Sequence, residues 1–357
     1  LVSDHASFTN FTNNVTLSGA VPEKVAGRLI YLSAAGTWSD TTMDTDTNVN
    51  YCQGVAEFSQ RFLALSAFTF GGSGGQNYNV MAQSQKGDST ALWEATGLQV
   101  QNNFFFVDIA VVGASLYVLF ADDRSYPNFW RLSTVTSTGA GVTLNALTTQ
   151  KTVGSSVLPR RLISYPNASG TETAWVAAAN GLYMEDALMH TWDNPASSFN
   201  GLGLDRGMVG GVDSLAWNDG RNVYQGYWSD TETFLINNLG PQSIDDGLPT
   251  TQQGNVTNLA LGAEKEWIAV CVGGEDSTHN ASIFFLDSRQ LIKLRDTSIP
   301  KYALHCPYYN TTANRIVRAA AFSREPNGAS RLVFMEDNGT ADDVDAFRFE
   351  DIYENPI

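Results

Sequence analysis

Cationic side chains are scarce in this chain: 21 Lys and Arg stand against 37 Asp and Glu, for a formal net charge of −16 over 357 residues. Nucleic acid and anionic lipid are held by clustered Lys and Arg, so neither is an expected partner. Cysteine is scarcer still. Cys52, Cys271 and Cys306 are odd in number and form no C-x-x-C pair. That excludes a disulfide-dense scaffold and a zinc ribbon, and leaves open one bridge plus a thiol, or three thiols. Unbroken apolar runs are also lacking. The most apolar stretch, Phe104 to Ala121, is interrupted by Asp108 and carries Gly113-Ala114-Ser115 at its middle. An Asp at mid-span costs roughly 2.5–3.5 kcal/mol on insertion scales, so two strands joined by a tight turn are expected there and membrane insertion is not. No sustained i, i+3, i+4, i+7 apolar pattern with caps occurs, so long helices are not expected either. Dinucleotide fingerprints, P-loops and H-E-x-x-H are missing. Gly71-Gly72-Ser73-Gly74-Gly75 matches G-x-S-x-G in letters only, because a nucleophile elbow needs a following helix and these flanks read as two strands.

What the chain does contain is alternation. In Thr173 to Ala187, read TAWVAAANGLYMEDA, period-2 runs flank Asn180-Gly181. Asn-Gly between alternating runs predicts a hairpin whose two turn residues take φ > 0. A lone hairpin is marginal in water, so it must belong to a larger sheet. Similar runs recur. FLALSA (62–67), LYVLFA (116–121), AWVAAA (174–179), VYQGYW (223–228), WIAVCV (267–272) and IVRAAAF (316–322) read as second strands of successive units. Third strands centre on Val80, Trp130, Tyr183, Leu235, Phe284 and Val333, at intervals of 49 to 53 residues. Weaker fourth runs follow, as in ALWEAT (91–96), VTLNALT (142–148), QLIKLRD (290–296) and DAFRFED (345–351).

Four short strands every fifty or so residues, with Gly, Asn and Asp turns, are the pattern of an all-β propeller with four antiparallel strands per blade. Residues 1–357 then form a single propeller domain, with six recognisable repeats over 54–357. Asn14-Val15-Thr16-Leu17 followed by RLIYLSAAG (28–36) echoes Asn255-Val256-Thr257 followed by WIAVCVGG (267–274). Seven blades are therefore favoured, residues 1–53 being a divergent first one; six blades plus an N-terminal extension is the alternative. WVAAANGLYMED resembles the repeats of several β-propeller families, among them the regulator-type and sialidase-type. The resemblance is to a fold, which does not set function.

Aligned first strands place Gly54, Asp108, Arg161, Asp213, Asn258 and His305 at one position, as a ring expected to line a central channel. Asp108, Asp213 and Asn258 offer hard oxygens of the kind that bind Ca²⁺, and His305 could serve as a catalytic base beside them. The ring resembles, loosely, that of calcium-dependent lactonase and esterase propellers, although Arg161 would repel a cation and no Glu stands in register. The bland reading is a solvated channel in which Asp108, Arg161 and Asp213 staple adjacent blades. Asp44-x-Asp46-x-Asn48-x-Asn50 alternates oxygen ligands but lacks the Gly and Glu of a calcium loop, and reads as a solvated acidic loop. His5, His190 and His279 read as surface residues. Trp38, Trp192, Trp217 and Trp228 read as core packing, with stacking on sugars as the functional alternative.

N-x-[ST] sequons begin at Asn10, Asn14, Asn167, Asn255, Asn280, Asn310 and Asn338, several of them in turn-like stretches. The chain opens on Leu1 without a basic n-region or apolar h-region, so any secretory leader is expected to have been removed. The expectation is a secreted or cell-surface, N-glycosylated propeller that binds a glycan or surface protein, or assembles with itself in a coat or filament. A calcium-dependent lactonase or esterase is the alternative.

Overall fold

The structure is a computed structural model. It describes residues 2–5, 27–32, 38–40, 49–58, 61–69, 76–83, 93–100, 104–122, 129–135, 148–154, 159–178, 180–191, 207–218, 222–241, 256–262, 265, 267–272, 281–288, 305–309, 316–324, 330–337 and 344–352. Every element among these residues is a strand, and every strand pairing with a described register is antiparallel. A first sheet holds β1 (Val2–His5), β2 (Gly27–Leu32) and β3 (Trp38–Asp40); a second holds β4 (Val49–Phe58), β5 (Arg61–Thr69), β6 (Gln76–Gln83) and β7 (Trp93–Val100). The third is β8 (Phe104–Val112), β9 (Ser115–Asp122), β10 (Phe129–Val135) and β11 (Thr148–Gly154). The fourth is β12 (Pro159–Pro166), β13 (Glu172–Ala178), β14 (Gly181–Met184) and β15 (Ala187–Thr191). Then come β16 (Met208–Gly210), β17 (Leu215–Asn218), β18 (Asn222–Trp228) and β19 (Phe234–Pro241), followed by β20 (Val256–Leu261), β21 (Trp267–Val272), β22 (Ser282–Asp287) and β23 (His305–Tyr309). A last sheet has β24 (Ile316–Arg324), β25 (Ser330–Asp337) and β26 (Val344–Ile352). Each sheet is a meander of strands consecutive in sequence. Phe104 to Ala121 is indeed two strands, turning at Gly113-Ala114 with Gly113 at φ 59°.

The described residues form two compact units, one of 1–165 with 172–191 and one of 166–171 with 192–357. In the first unit β4 lies against β8; in the second, β16 lies against β20 and β20 against β24. In these three pairs neighbouring sheets meet through their first strands. Period 2 explains why they stack. In β21, Ile268, Val270 and Val272 join Val209, Ala216, Leu259 and Phe284 in one core. The intervening Ala269 and Cys271 join Ile283, Phe285 and Leu332 in another. Both faces of this sheet are therefore apolar and covered. At about 25 cal/mol per Å² of apolar surface, neither face can be left in water. Trp217 is fully buried and stacks on Tyr224, with ring centroids 5.6 Å apart. Trp175 is buried too, donating its indole N–H to the Tyr165 carbonyl at 3.0 Å.

Strand assignments differ from the sequence reading in three sheets; Leu235 falls in β19, the fourth strand of its sheet, and Val333 and DAFRFED fall in β25 and β26, the second and third of theirs. VYQGYW is β18, the third strand of its sheet, because the short β16 and β17 precede it. IVRAAAF falls in β24, which opens its sheet. β11 begins at Thr148, where VTLNALT ends. Alternation identifies a strand but not the sheet it joins, and strands of three or four residues are too short to show it. QLIKLRD lies outside the described residues.

Asn180-Gly181 also works differently from expectation. Ala178 pairs with Gly181, and Gly181 does not occupy the left-handed region. Its glycine is required by proximity: a Cβ there would sit 2.2 Å from the His190 carbonyl oxygen of β15. Gly170 presents the opposite case, with open space but φ +80°. We expect Gly181→Ala to lower stability by about 1–3 kcal/mol through overpacking against backbone, and Gly170→Ala by about 1–2 kcal/mol through left-handed strain alone. Urea unfolding of the two variants checks the ranking.

Cys271 is a fully buried thiol, and burial pushes its pKa up to about 12. In native protein Cys271 should therefore resist thiol reagents at pH 8, and it should react after denaturation, as peptide mapping of the labelled chain reads out. The linkage has a definite sign. Below pH 9.0 the thiol is protonated in both states; above it the unfolded chain ionises while the folded one holds its proton to about 12. Stability should fall across that window, at a limiting slope of about 1.4 kcal/mol per pH unit. Cys271→Ala should remove that part of the decline.

Candidate functional site

The bulges of the first strands explain much of the proposed ring. β4 slips register between Cys52 and Gly54, β8 between Phe106 and Asp108, β20 between Val256 and Asn258, and β24 between Val317 and Ala319. An extra residue at each bulge interrupts the ladder and leaves a backbone donor to be satisfied. Gly54, Asp108 and Asn258 therefore do occupy equivalent positions, paired with Leu65, Leu119 and Cys271. Asp108 Oδ1 accepts the N–H of Ile109 at 2.9 Å, and Asn258 Oδ1 accepts that of Leu259 at 2.8 Å. A short side chain carrying oxygen just before an apolar run is what a bulged first strand needs.

Asp108 does more. It is 2% exposed, and its Oδ2 accepts the Leu162 N–H of β12 at 2.8 Å. Arg161 Nη1 lies 3.1 Å from Oδ2 and 3.3 Å from Oδ1. One carboxylate thus joins the third sheet to the fourth through two backbone amides and a guanidinium. Arg161 Nε is buried and lacks a partner among the described residues, which offsets part of the gain.

Asp213 and His305 do not share this position. Asp213 is exposed in the turn between β16 and β17, where Gly211 N donates to Ser214 O at 2.8 Å. His305 opens β23, the fourth strand of its sheet, and pairs with Phe285. In the last sheet the residue that follows the corresponding bulge, in β24, is Ala319, which carries no polar signal. Asp108 and Arg161 belong to the first unit, and Asp213, Asn258 and His305 to the second.

Asp108 does not fit a cation ligand, since both of its oxygens already face N–H donors and a guanidinium. No group of three or more His, Cys, Asp or Glu side chains able to hold a metal occurs among the described residues. The 44–48 stretch and the Gly71–Gly75 stretch lie outside those residues, as do Trp192 and His279. Elsewhere in the first unit, burial raises the pKa of Tyr117, helped by the Glu185 carboxylate.

The second unit contains a polar node that sequence reasoning missed. Ser288 Oγ donates to the Lys265 carbonyl at 2.6 Å, Ser214 Oγ donates to Ser288 O at 3.0 Å, and Gln225 Nε2 donates to Ser214 Oγ at 2.8 Å. Ser214, Ser288 and Gln225 are fully buried. Single serines at the ends of apolar strands leave no sequence signal for such a network. It ties the β16–β17 turn to the β20–β21 turn.

Two hairpin tips share one hydrogen-bond scheme. Asn167 Oδ1 accepts the N–H of Ser169 and of Thr171, both at 3.0 Å. Ser229 Oγ accepts the N–H of Thr231 at 3.3 Å and of Thr233 at 3.1 Å. Position four of each loop is left-handed, Gly170 at φ 80° and Glu232 at φ 58°. Trp228, just ahead of the second loop, donates its indole N–H to the Pro166 carbonyl at 2.9 Å.

No known family profile matches the chain, and no curated protein does. Among solved structures, a putative 6-phosphogluconolactonase from Bacteroides uniformis is similar over 98% of this chain and 99% of its own, at 11% identity and a TM-score of 0.51. The β-propeller domain of Cps50 (Swd1) from Myceliophteria thermophila is similar at 7% identity and a TM-score of 0.45, over 80% of each chain. Hsv2 of Kluyveromyces lactis matches at 8% identity and a TM-score of 0.42, over 80% of this chain and 71% of its own. At such identities the likeness concerns the fold alone. The chain is an all-β protein of β-propeller architecture, built from antiparallel meander sheets of three or four described strands.

Removing the Asp108 carboxylate should cost more than removing its cation. Asp108→Ala leaves two buried amides unanswered and should lose about 2–4 kcal/mol. Arg161→Met should lose about 1 kcal/mol or less, because the Arg161 side chain is 35% exposed and its attraction is screened. Chemical denaturation of both variants, with and without added calcium, measures the difference.

Proposed function

We propose that this chain is a secreted or cell-surface, N-glycosylated β-propeller, a single domain over residues 1–357, that works by binding or assembling. Its partner is a surface protein, a glycan or further copies of itself. The observation that carries this reading is the commitment of Asp108 to the scaffold. The side chain best placed to lead a metal-assisted site is instead occupied in joining β8 to β12. The exposed described turns combine Ser, Thr and Gly (Ser169, Gly170 and Thr171; Thr231 and Thr233) with the acids Asp230 and Glu232, a polar surface held by a rigid sheet scaffold. Seven sequons support passage through the secretory pathway.

The rival reading is a lactonase or esterase with calcium on Asp108, Asp213 and Asn258 and His305 as base. Thermal unfolding separates the two. The binding-module reading expects the same melting temperature in EDTA and in millimolar calcium, with Asp213→Ala unchanged. A calcium-dependent rise that Asp213→Ala abolishes would overturn it. Light scattering across a concentration series and a glycan array then sort self-association and sugar binding from a protein partner.

A further inference from the structure

We infer that Asn167 carries an N-linked glycan, on a loop that uses the oxygen of its amide and leaves the nitrogen over. The inference rests on the secretory reading above and selects one acceptor of the seven. Asn167 is the one sequon asparagine that lies among the described residues. Its Oδ1 accepts from Ser169 N at 3.0 Å, Ser169 Oγ at 2.8 Å and Thr171 N at 3.0 Å. Backbone bonds close the loop around it: Asn167 N to Thr171 O and Gly170 N to Asn167 O, each 2.9 Å.

The loop at Ser229 shows what this geometry requires. Ser229 N donates to Thr233 O at 2.9 Å and Glu232 N to Ser229 O at 3.0 Å, while one hydroxyl oxygen accepts the same two amides that Asn167 Oδ1 accepts. A single acceptor oxygen therefore suffices to fold the loop. The amide NH₂ of Asn167 has no counterpart in Ser229, and among the described residues nothing accepts from Nδ2. Ser169, Gly170, Thr171 and Glu172 around it are exposed.

Glycosylation leaves that scheme intact. The new bond joins Nδ2 to the anomeric carbon of an oligosaccharide. The bond from that carbon to the pyrophosphate of a lipid-linked donor breaks, and one Nδ2 hydrogen departs as a proton. Oδ1 remains an amide carbonyl and still accepts all three donors. Transfer meets the nascent chain; the loop decides that the sugar-bearing chain reaches the same fold.

The test expresses the full chain behind a secretory leader in mammalian cells, wild type and Asn167→Ser. Glycosidase release in ¹⁸O-water followed by peptide mapping reads occupancy at each sequon. The expected result is labelled Asp at position 167 in most wild-type molecules. Asn167→Ser, which copies the Ser229 cap, should be one glycan lighter, exported equally and unchanged in melting temperature after deglycosylation. Asn167 bare while other sequons carry sugar overturns this inference and leaves the secretory reading standing. A chain that is not exported, or is bare at all seven, overturns both. Loss of folding in Asn167→Ser overturns the claim that the loop needs only an oxygen.

Discussion

A sheet with two apolar faces cannot stand alone, and most of this molecule follows from that. In β21 the residues at even positions, Ile268, Val270 and Val272, pack into one core, while Ala269 and Cys271 pack into the next. A helix-covered sheet would meet the same need, but no described residue is helical. Sheet upon sheet is the remaining solution, repeated along the chain. The size pattern is part of it. The face with Ile and Val meets Phe284 and Leu286, whereas the Ala and Cys face meets Ile283, Phe285 and Leu332.

Because this constraint acts at period 2, it was legible. The recurrence of apolar alternation located β5, β9, β13 and β21 and gave the all-β propeller architecture. Membership in a sheet was less legible, since it depends on partners distant in sequence. His305 reads like a first-strand residue because it precedes Cys306, yet it pairs with Phe285 at the end of the preceding meander. Asp213 reads like Asp108 because VDSL resembles VDIA. The first sits in a turn, and the second follows a bulge. Two letters in common did not distinguish a strand from a bend. Gly181 was picked out for a turn, whereas its place is fixed by the approach of the His190 carbonyl.

Polar residues ahead of apolar runs recur because a bulge frees a backbone amide, and Asp or Asn answers it locally. Asp108 and Asn258 do this in the same way in separate units. A chemical motif and a structural cap use the same residue types, and sequence alone does not separate them. What separates them is saturation. A carboxylate buried among N–H groups is committed to the fold, and a metal would have to displace those donors at a cost of several kcal/mol.

Freedom to carry function lies in the loop tips. Glu185, Glu232 and Lys265 are charged residues held at φ of 54°, 58° and 61°. Each costs about 1 kcal/mol that Gly would spare. The backbone tolerates this because each tip is over-determined. Met184 pairs with Ala187 around Glu185, Ser229 caps the loop at Glu232, and the Lys265 carbonyl is held by Val212 N at 3.2 Å and Ser288 Oγ. With the conformation fixed by neighbours, the identity of the tip residue is released from folding. The loop tips are thus the positions on which the fold places the least demand, and periodicity carries no information about them.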